Sequence, residues 1–198
     1  MKLVKWIMQV SKKICHIFNV RSLGKNKHKL DDFFLMTEVN PTFVTISETK
    51  LKSNYILNVD IPGFNFIHNP LQTNSGGVGL YINSNLTFQP RNDLNLNNVG
   101  CKSLFIEIPT SSGKPFIIGV IYRHPTYAFQ PFQDGFVKHV IHLQNNNYDY
   151  LIGGDYNINL NIKKIQMCQT MLIVLPAVAV FLLSINQPDW AKIQNHLY

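Results

Sequence analysis

Short apolar runs alternate with polar, turn-forming stretches along most of the chain, and the spacing of their apolar positions changes from one run to the next. Ile14–Val20 reads as a strand. Over Lys25–Glu38, Leu30, Phe33, Phe34 and Thr37 recur at helical spacing, so a helix there can lay one face on a sheet. Pro41 marks a turn, and Phe43, Val44 and Ile46 then build a strand that ends at Glu48. This β-α-β order predicts parallel strands joined by a crossover helix. Further strands are predicted at Phe64–Ile67, Gly76–Ile82, Leu104–Ile108 and Phe116–Tyr122. The last is nearly uninterrupted in apolar character, as a strand covered on both faces should be. Phe132, Phe136, Val140 and Leu143 then fall at helical spacing, and Tyr148–Ile152 is a final short strand leading into Gly153-Gly154-Asp155-Tyr156-Asn157. Linkers rich in Asn and Ser, at 72–75, 92–98 and 110–113, separate these elements. The pattern predicts an α/β fold with a mixed sheet and no internal repeat.

Composition and charge narrow the picture. The chain has 198 residues, 45% of them hydrophobic and 15% charged, which suits a single folded domain with a core. A formal net charge of +7 favours anionic partners such as nucleic acid. Eight of the basic residues, from Lys2 to Lys29, precede the first acid, Asp31; a solvated basic arm has the same pattern. Cys15, Cys101 and Cys168 are widely spaced and form no Cys-x-x-Cys pair, which argues against a zinc knuckle and a disulfide framework. With no signal peptide read at Met1–Val10, an intracellular location, nuclear or cytoplasmic, is expected. Met171–Ile185 is almost wholly apolar, yet it is shorter than the ~20 residues of a spanning helix and is interrupted by Pro176. A buried segment is the expectation there, with membrane contact as the alternative.

Candidate chemistry gathers at strand ends. Asn19, Glu48, Tyr122 and the Asp155/Asn157 pair each lie at or just past the end of an apolar strand, where ligands collect in open α/β sheets. The residue types suit phosphodiester cleavage. A phosphate repels hydroxide, so a hard cation with oxygen ligands is needed to neutralise it. Glu48 is the expected chief metal ligand, with Asn19 orienting or assisting it. Asp155 is expected to align and deprotonate the attacking water, and Asn157 to hold Asp155 or the phosphate. The Tyr122 hydroxyl can donate to a non-bridging oxygen, where charge builds in the transition state. Taken singly, each has an ordinary reading: a turn at Gly154-Asp155-Tyr156-Asn157, a solvated acid at Glu48, a half-buried phenol at Tyr122. His139 and His142, three apart on the second helix, read as a surface pair, and Arg123 as a phosphate contact or a surface arginine.

Five segments in order carry a family resemblance. Ile14–Leu23 (ICHIFNVRSL) resembles the first motif of endonucleases encoded by non-LTR (LINE-like) retrotransposons, within the endonuclease/exonuclease/phosphatase superfamily. Ile46–Leu51 (ISETKL) is similar to the second motif, whose glutamate holds the metal; Lys50 stands where tryptophan is usual. Gly76–Ile82 resembles the glycine-rich strand, Gly119–Pro125 (GVIYRHP) the motif of the active-site tyrosine, and Gly154–Asn159 (GDYNIN) the Asp-x-Asn motif. The resemblance implies a four-layer α/β sandwich of the DNase I-like kind. It also implies Mg²⁺, with Mn²⁺ as a substitute, and nicking of a target DNA duplex; exonuclease and phosphatase relatives share the same core residues.

After Asn161 the resemblance stops. The family closes with a late aspartate and a Ser-Asp-His motif, and no Ser-Asp-His occurs in this sequence. His196 lies in Asn195-His196-Leu197 with no aspartate before it, and takes no role. The expectation is a basic leader (1–13), an incomplete nuclease-like domain (14–161) and a divergent hydrophobic segment (162–198). The chain is accordingly expected to be C-terminally truncated, with part of the second sheet missing or replaced and activity impaired. A remnant that only binds nucleic acid or a membrane is the alternative.

Overall fold

The structure, a computed structural model, describes residues 4–10, 13–37, 40–54, 58–70, 76–96, 100–111, 113–157 and 180–182. The predicted β-α-β unit is present as β2 (Lys13–Asn19), α1 (Leu23–Met36) and β3 (Phe43–Ser47), with β2 and β3 parallel. Two antiparallel strands, β4 (Phe64–Asn69) and β5 (Val78–Asn83), extend this sheet beyond β3. A strand with no counterpart in the pattern, β1 (Val4–Val10), pairs antiparallel with β2 at the other edge. The order is β1-β2-β3-β5-β4.

The second sheet runs β10-β9-β8-β7-β6. It comprises β6 (Gln89–Pro90), β7 (Cys101–Ile108), β8 (Phe116–Arg123), β9 (Asp149–Asp155) and β10 (Val180–Leu182). Helix α2 (Phe129–Asn145) links β8 to its parallel neighbour β9. Three residues of the apolar C-terminal stretch thus enter the sheet as β10, parallel to β9. The rest of 171–185 and His196 lie outside the described residues. No helix among the described residues is long and apolar enough to cross a membrane.

The two-residue period of each strand sorts its side chains into layers. In β8, Ile118, Val120 and Tyr122 turn toward the first sheet, whereas Ile117 and Ile121 turn toward α2. Both faces are covered, which is why that run is apolar without alternation. In β2, Cys15 and Ile17 face the second sheet, and Phe18 packs under Leu23, Leu30 and Phe33 of α1. Helix α2 lays Phe132, Phe136, Val140 and Leu143 over the outer face of the second sheet. The result is a four-layer α/β/β/α sandwich with three apolar layers. Where β9 crosses β2 the sheets approach closely: a Cβ on Gly153 would lie 2.6 Å from Ile17 Cδ1.

The spacing of α2 also turns His139 inward. It is buried, with its ring 4.7 Å from that of Phe105, so His139 and His142 are not the surface pair that the sequence suggests. Among the described residues no three His, Cys, Asp or Glu side chains gather as a metal cluster. Burial lowers the His139 imidazole to about 4, aided by the His142 charge and opposed by Asp93. An unfolded histidine titrates near ~6.5, so between those values the unfolded chain holds the extra proton. Stability contributed by the neutral ring is complete above that window and lost as pH falls from about 6.5 toward 4. His139→Phe is expected to remove up to roughly 3 kcal/mol of this acid sensitivity in urea titrations at pH 4.5 and 7.5. Equal pH dependence in both chains would exclude His139 as its source.

Candidate functional site

Strands β2, β3, β8 and β9 all present their C-terminal ends at one end of the sandwich. Parity aims the last inward positions of β2 and β9, Asn19 and Asp155, at each other across the gap between the sheets. The Asn19 Nδ2 amide donates to Asp155 Oδ2 at 2.6 Å and to Glu48 Oε1 at 2.8 Å. Residues 136 and 29 positions from Asn19 in sequence therefore share one amide group. Asn19 Oδ1 in turn accepts the Arg21 backbone N–H at 3.1 Å, which fixes the orientation of the amide.

Glu48 follows β3 with φ 56°, a left-handed conformation, and the next turn is tied down on both sides. Thr49 N–H and Lys50 N–H donate to Gly77 and Gly76 carbonyls, while the Thr49 carbonyl accepts Leu23 N–H at the start of α1. A Cβ on Gly77 would come within 2.4 Å of Thr49 Oγ1, so the glycine-rich stretch lets that loop pack close. Six non-glycine residues among those described have positive φ. Five of them (Arg21, Ser22, Glu48, Lys50 and Asn157) lie in the loops that follow β2, β3 and β9. Such conformations cost about 1–3 kcal/mol each and persist where the surroundings enforce them, often at functional sites.

Tyr122 ends the inward row of β8 and stands beside Asp155 in the parallel ladder. Burial first, and then the negative charges of Glu48 and Asp155, push its phenol well above the usual range, so the hydroxyl keeps its proton. Among the described residues that hydroxyl makes no hydrogen bond. Asp155 is 4% exposed. Burial raises its carboxyl to about 6, with the Glu48 charge adding to the rise; the Asn157 N–H, the Asn19 amide and Arg21 oppose it. Asn157 N–H donates to Asp155 Oδ1 at 3.0 Å, and Asn157 Nδ2 donates to the Arg123 carbonyl at 2.7 Å. All five residues singled out in the sequence are thus brought to one end of the sandwich. The arrangement offers two carboxyl groups, of which Asp155 has an elevated pKa, an amide that bridges them and a protonated phenol.

Arg123 is the residue that sequence reasoning misplaced. It is 4% exposed, and its guanidinium binds the backbone of the loop after β9. A hint lay in the apolar run that it terminates, since its parity with Ile117 and Ile121 turns it toward α2. His124 does not enter the site by hydrogen bond; its Nδ1 pairs with Thr126 Oγ1 at 2.7 Å, and its ring centre lies 6.4 Å from that of Tyr122.

Comparison with known proteins adds to this geometry. The Endonuclease/Exonuclease/phosphatase family matches residues 17–162, which span all five site residues. No curated protein sequence matches the chain. Among solved structures, the 3′-5′ exonuclease NExo from Neisseria meningitidis superposes with TM-score 0.59 at 15% identity, over 92% of this chain and 82% of the other. The 3′ phosphatase NExo (D146N) from Neisseria, bound to product DNA hairpin, gives TM-score 0.52 at 14% identity over the same shares. A humanized D. rerio TDP2 with 14 mutations gives TM-score 0.55 at 13% identity, over 78% of this chain; the chain spans 65% of its length. At such identities the likeness is one of fold.

Proposed function

We propose, for a chain that belongs to the endonuclease/exonuclease/phosphatase family, that it hydrolyses phosphodiesters of DNA at the end of the sandwich where Asn19, Glu48, Tyr122, Asp155 and Asn157 meet. The observation that carries this reading is the Asn19 amide held between the Glu48 and Asp155 carboxylates. A buried acid, Asp155, and a half-buried one, Glu48, placed so near each other favour a compensating positive charge. Carboxylate oxygens suit Mg²⁺, which keeps several waters and shares its shell with substrate phosphate, and the Asn19 amide orients them through its N–H groups while its Oδ1 accepts the Arg21 N–H. Glu48, assisted by Asn19, would hold the cation. Bound there, it supplies charge neutralisation at the phosphate and a more acidic water.

The remaining steps belong to side chains. Asp155, ionised above about pH 6 and fixed through both oxygens, is placed to accept the proton of an attacking water. Tyr122 donates its retained proton to a non-bridging phosphate oxygen, where negative charge grows. Asn157 acts on Asp155 through its backbone N–H, and its side-chain amide secures the loop. The net charge of +7 favours a polyanionic substrate, and the Neisseria 3′ phosphatase of the same fold is bound to product DNA. The five ordered motifs support an origin among endonucleases of non-LTR retrotransposons.

A second reading, binding without cutting, is favoured by one observation. His124, whose ring centre lies 6.4 Å from that of Tyr122, pairs its Nδ1 with Thr126 Oγ1 at 2.7 Å and not with a site residue. Incubation with supercoiled plasmid separates the two. Hydrolysis predicts open-circular product with Mg²⁺ or Mn²⁺ and none after chelation. Binding alone predicts a salt-sensitive mobility shift with no product at any concentration of either metal.

A further inference from the structure

The last residue of β8 links the site to its support. Arg123 Nε donates to the Tyr156 carbonyl at 2.7 Å, and Nη2 to the Asn157 carbonyl at 2.5 Å. Nη1 reaches the Tyr127 carbonyl at 2.5 Å and, at 3.4 Å, that of His124. The guanidinium carbon sits 5.7 Å and 5.9 Å from the ring centres of Phe129 and Phe132 at the start of α2. Asn157 Nδ2 returns a bond to the Arg123 carbonyl, so the two residues lock each other. A buried guanidinium directed at four carbonyls has no face to offer a phosphate. Its partners also include Asn157, which holds left-handed backbone at φ 47° and whose N–H donates to Asp155 Oδ1.

We propose that Arg123 is a positioning residue: its planar fork fixes the Tyr156–Asn157 backbone and thereby holds the Asp155 carboxylate against Asn19. Lysine cannot replace it, because one flexible ammonium cannot meet several carbonyls in one plane. The rate readout rests on the hydrolytic function proposed above; the backbone readout does not.

The test compares the full chain with R123K and R123A, each checked for folding by thermal unfolding. In both variants, exchange of the Asn157 amide hydrogen is expected to rise at least ~10-fold as the loop opens. In plasmid nicking, kcat is expected to fall about 10²-fold, the scale of an ångström's misplacement, with KM little changed. Wild-type exchange and rate in R123K would show that charge alone suffices and overturn the proposal. A rise in KM with a shallower salt dependence would mark a phosphate contact and overturn it as well. If the unaltered chain does not nick, the hydrolytic reading fails, and Asn157 exchange alone decides: unchanged protection in folded R123A overturns the clamp. Failure of both variants to fold would show that Arg123 supports the whole domain and not this loop, which also overturns it.

Discussion

Asp155→Ala is expected to lower Mg²⁺-dependent nicking by about 10²–10⁴-fold while leaving the fold intact, the range attributed to a positioned general base. The size follows from two losses at one position. The carboxylate is the group proposed to take the proton of the attacking water, and its oxygens also anchor the Asn19 amide and the Asn157 N–H. Stability should change little, because a buried acid near another carboxylate is held at the cost of desolvation, which alanine relieves. Asp155→Asn separates the losses, since it keeps the shape and an acceptor for Asn19 but cannot act as a base. Single-turnover nicking alongside circular dichroism measures both variants. A folded Asp155→Ala chain that nicks at the original rate would remove Asp155 from the mechanism.

Gly154→Ala is expected to cost about 3–5 kcal/mol, combining positive-φ strain with a backbone collision. Gly154 has φ 148°, and a Cβ there would lie 1.8 Å from the Ile121 carbonyl oxygen on the paired strand. That oxygen belongs to a ladder between two buried strands, so it cannot swing aside as a side chain would. Gly63 supplies the control. Its φ is 82°, yet a Cβ there meets nothing within 4 Å, so Gly63→Ala should show only the conformational part, about 1–3 kcal/mol. Urea midpoints for the two variants measure the difference. Equal losses would mean that the collision relaxes away and that the close approach of β8 and β9 is not needed.

The gathering of the five candidate residues at one end was legible because strand ends could be located from apolar runs; the inward facing of Asn19 and Asp155 comes from strand parity, which the structure adds. Once β2 ends at Asn19 and β9 at Asp155, each residue shares the inward face with Ile17 and Leu151. The two-sheet sandwich was legible only through the family resemblance of the ordered motifs, since the apolar pattern by itself predicted an α/β fold with a mixed sheet. What pattern could not reveal depends on partners far away in sequence. Residues 4–10 carry Lys5 and Gln9 among apolar positions and become a strand only by pairing with β2. Gln89–Pro90 is too short to leave a period, and Val180–Leu182 joins β9 from within a uniformly apolar stretch. His139 and Arg123, polar types read as surface residues, are buried because a helix face and a strand parity carry them inward. The left-handed backbone at Glu48 and Lys50 leaves no mark in composition, since neither residue is glycine or asparagine.

Centrally, Glu48, assisted by Asn19, is proposed to hold a cation beside the Asp155 carboxyl. Paramagnetic broadening by Mn²⁺, followed by NMR on the full chain, tests it most directly. Substoichiometric Mn²⁺ should first broaden the Asn19 side-chain amide and the Gly154–Asp155 backbone, and Glu48→Gln should weaken that binding at least ~10-fold, as loss of a hard carboxylate ligand implies. Broadening spread over surface acids such as Asp60 and Asp134, and unaffected by Glu48→Gln, would contradict it.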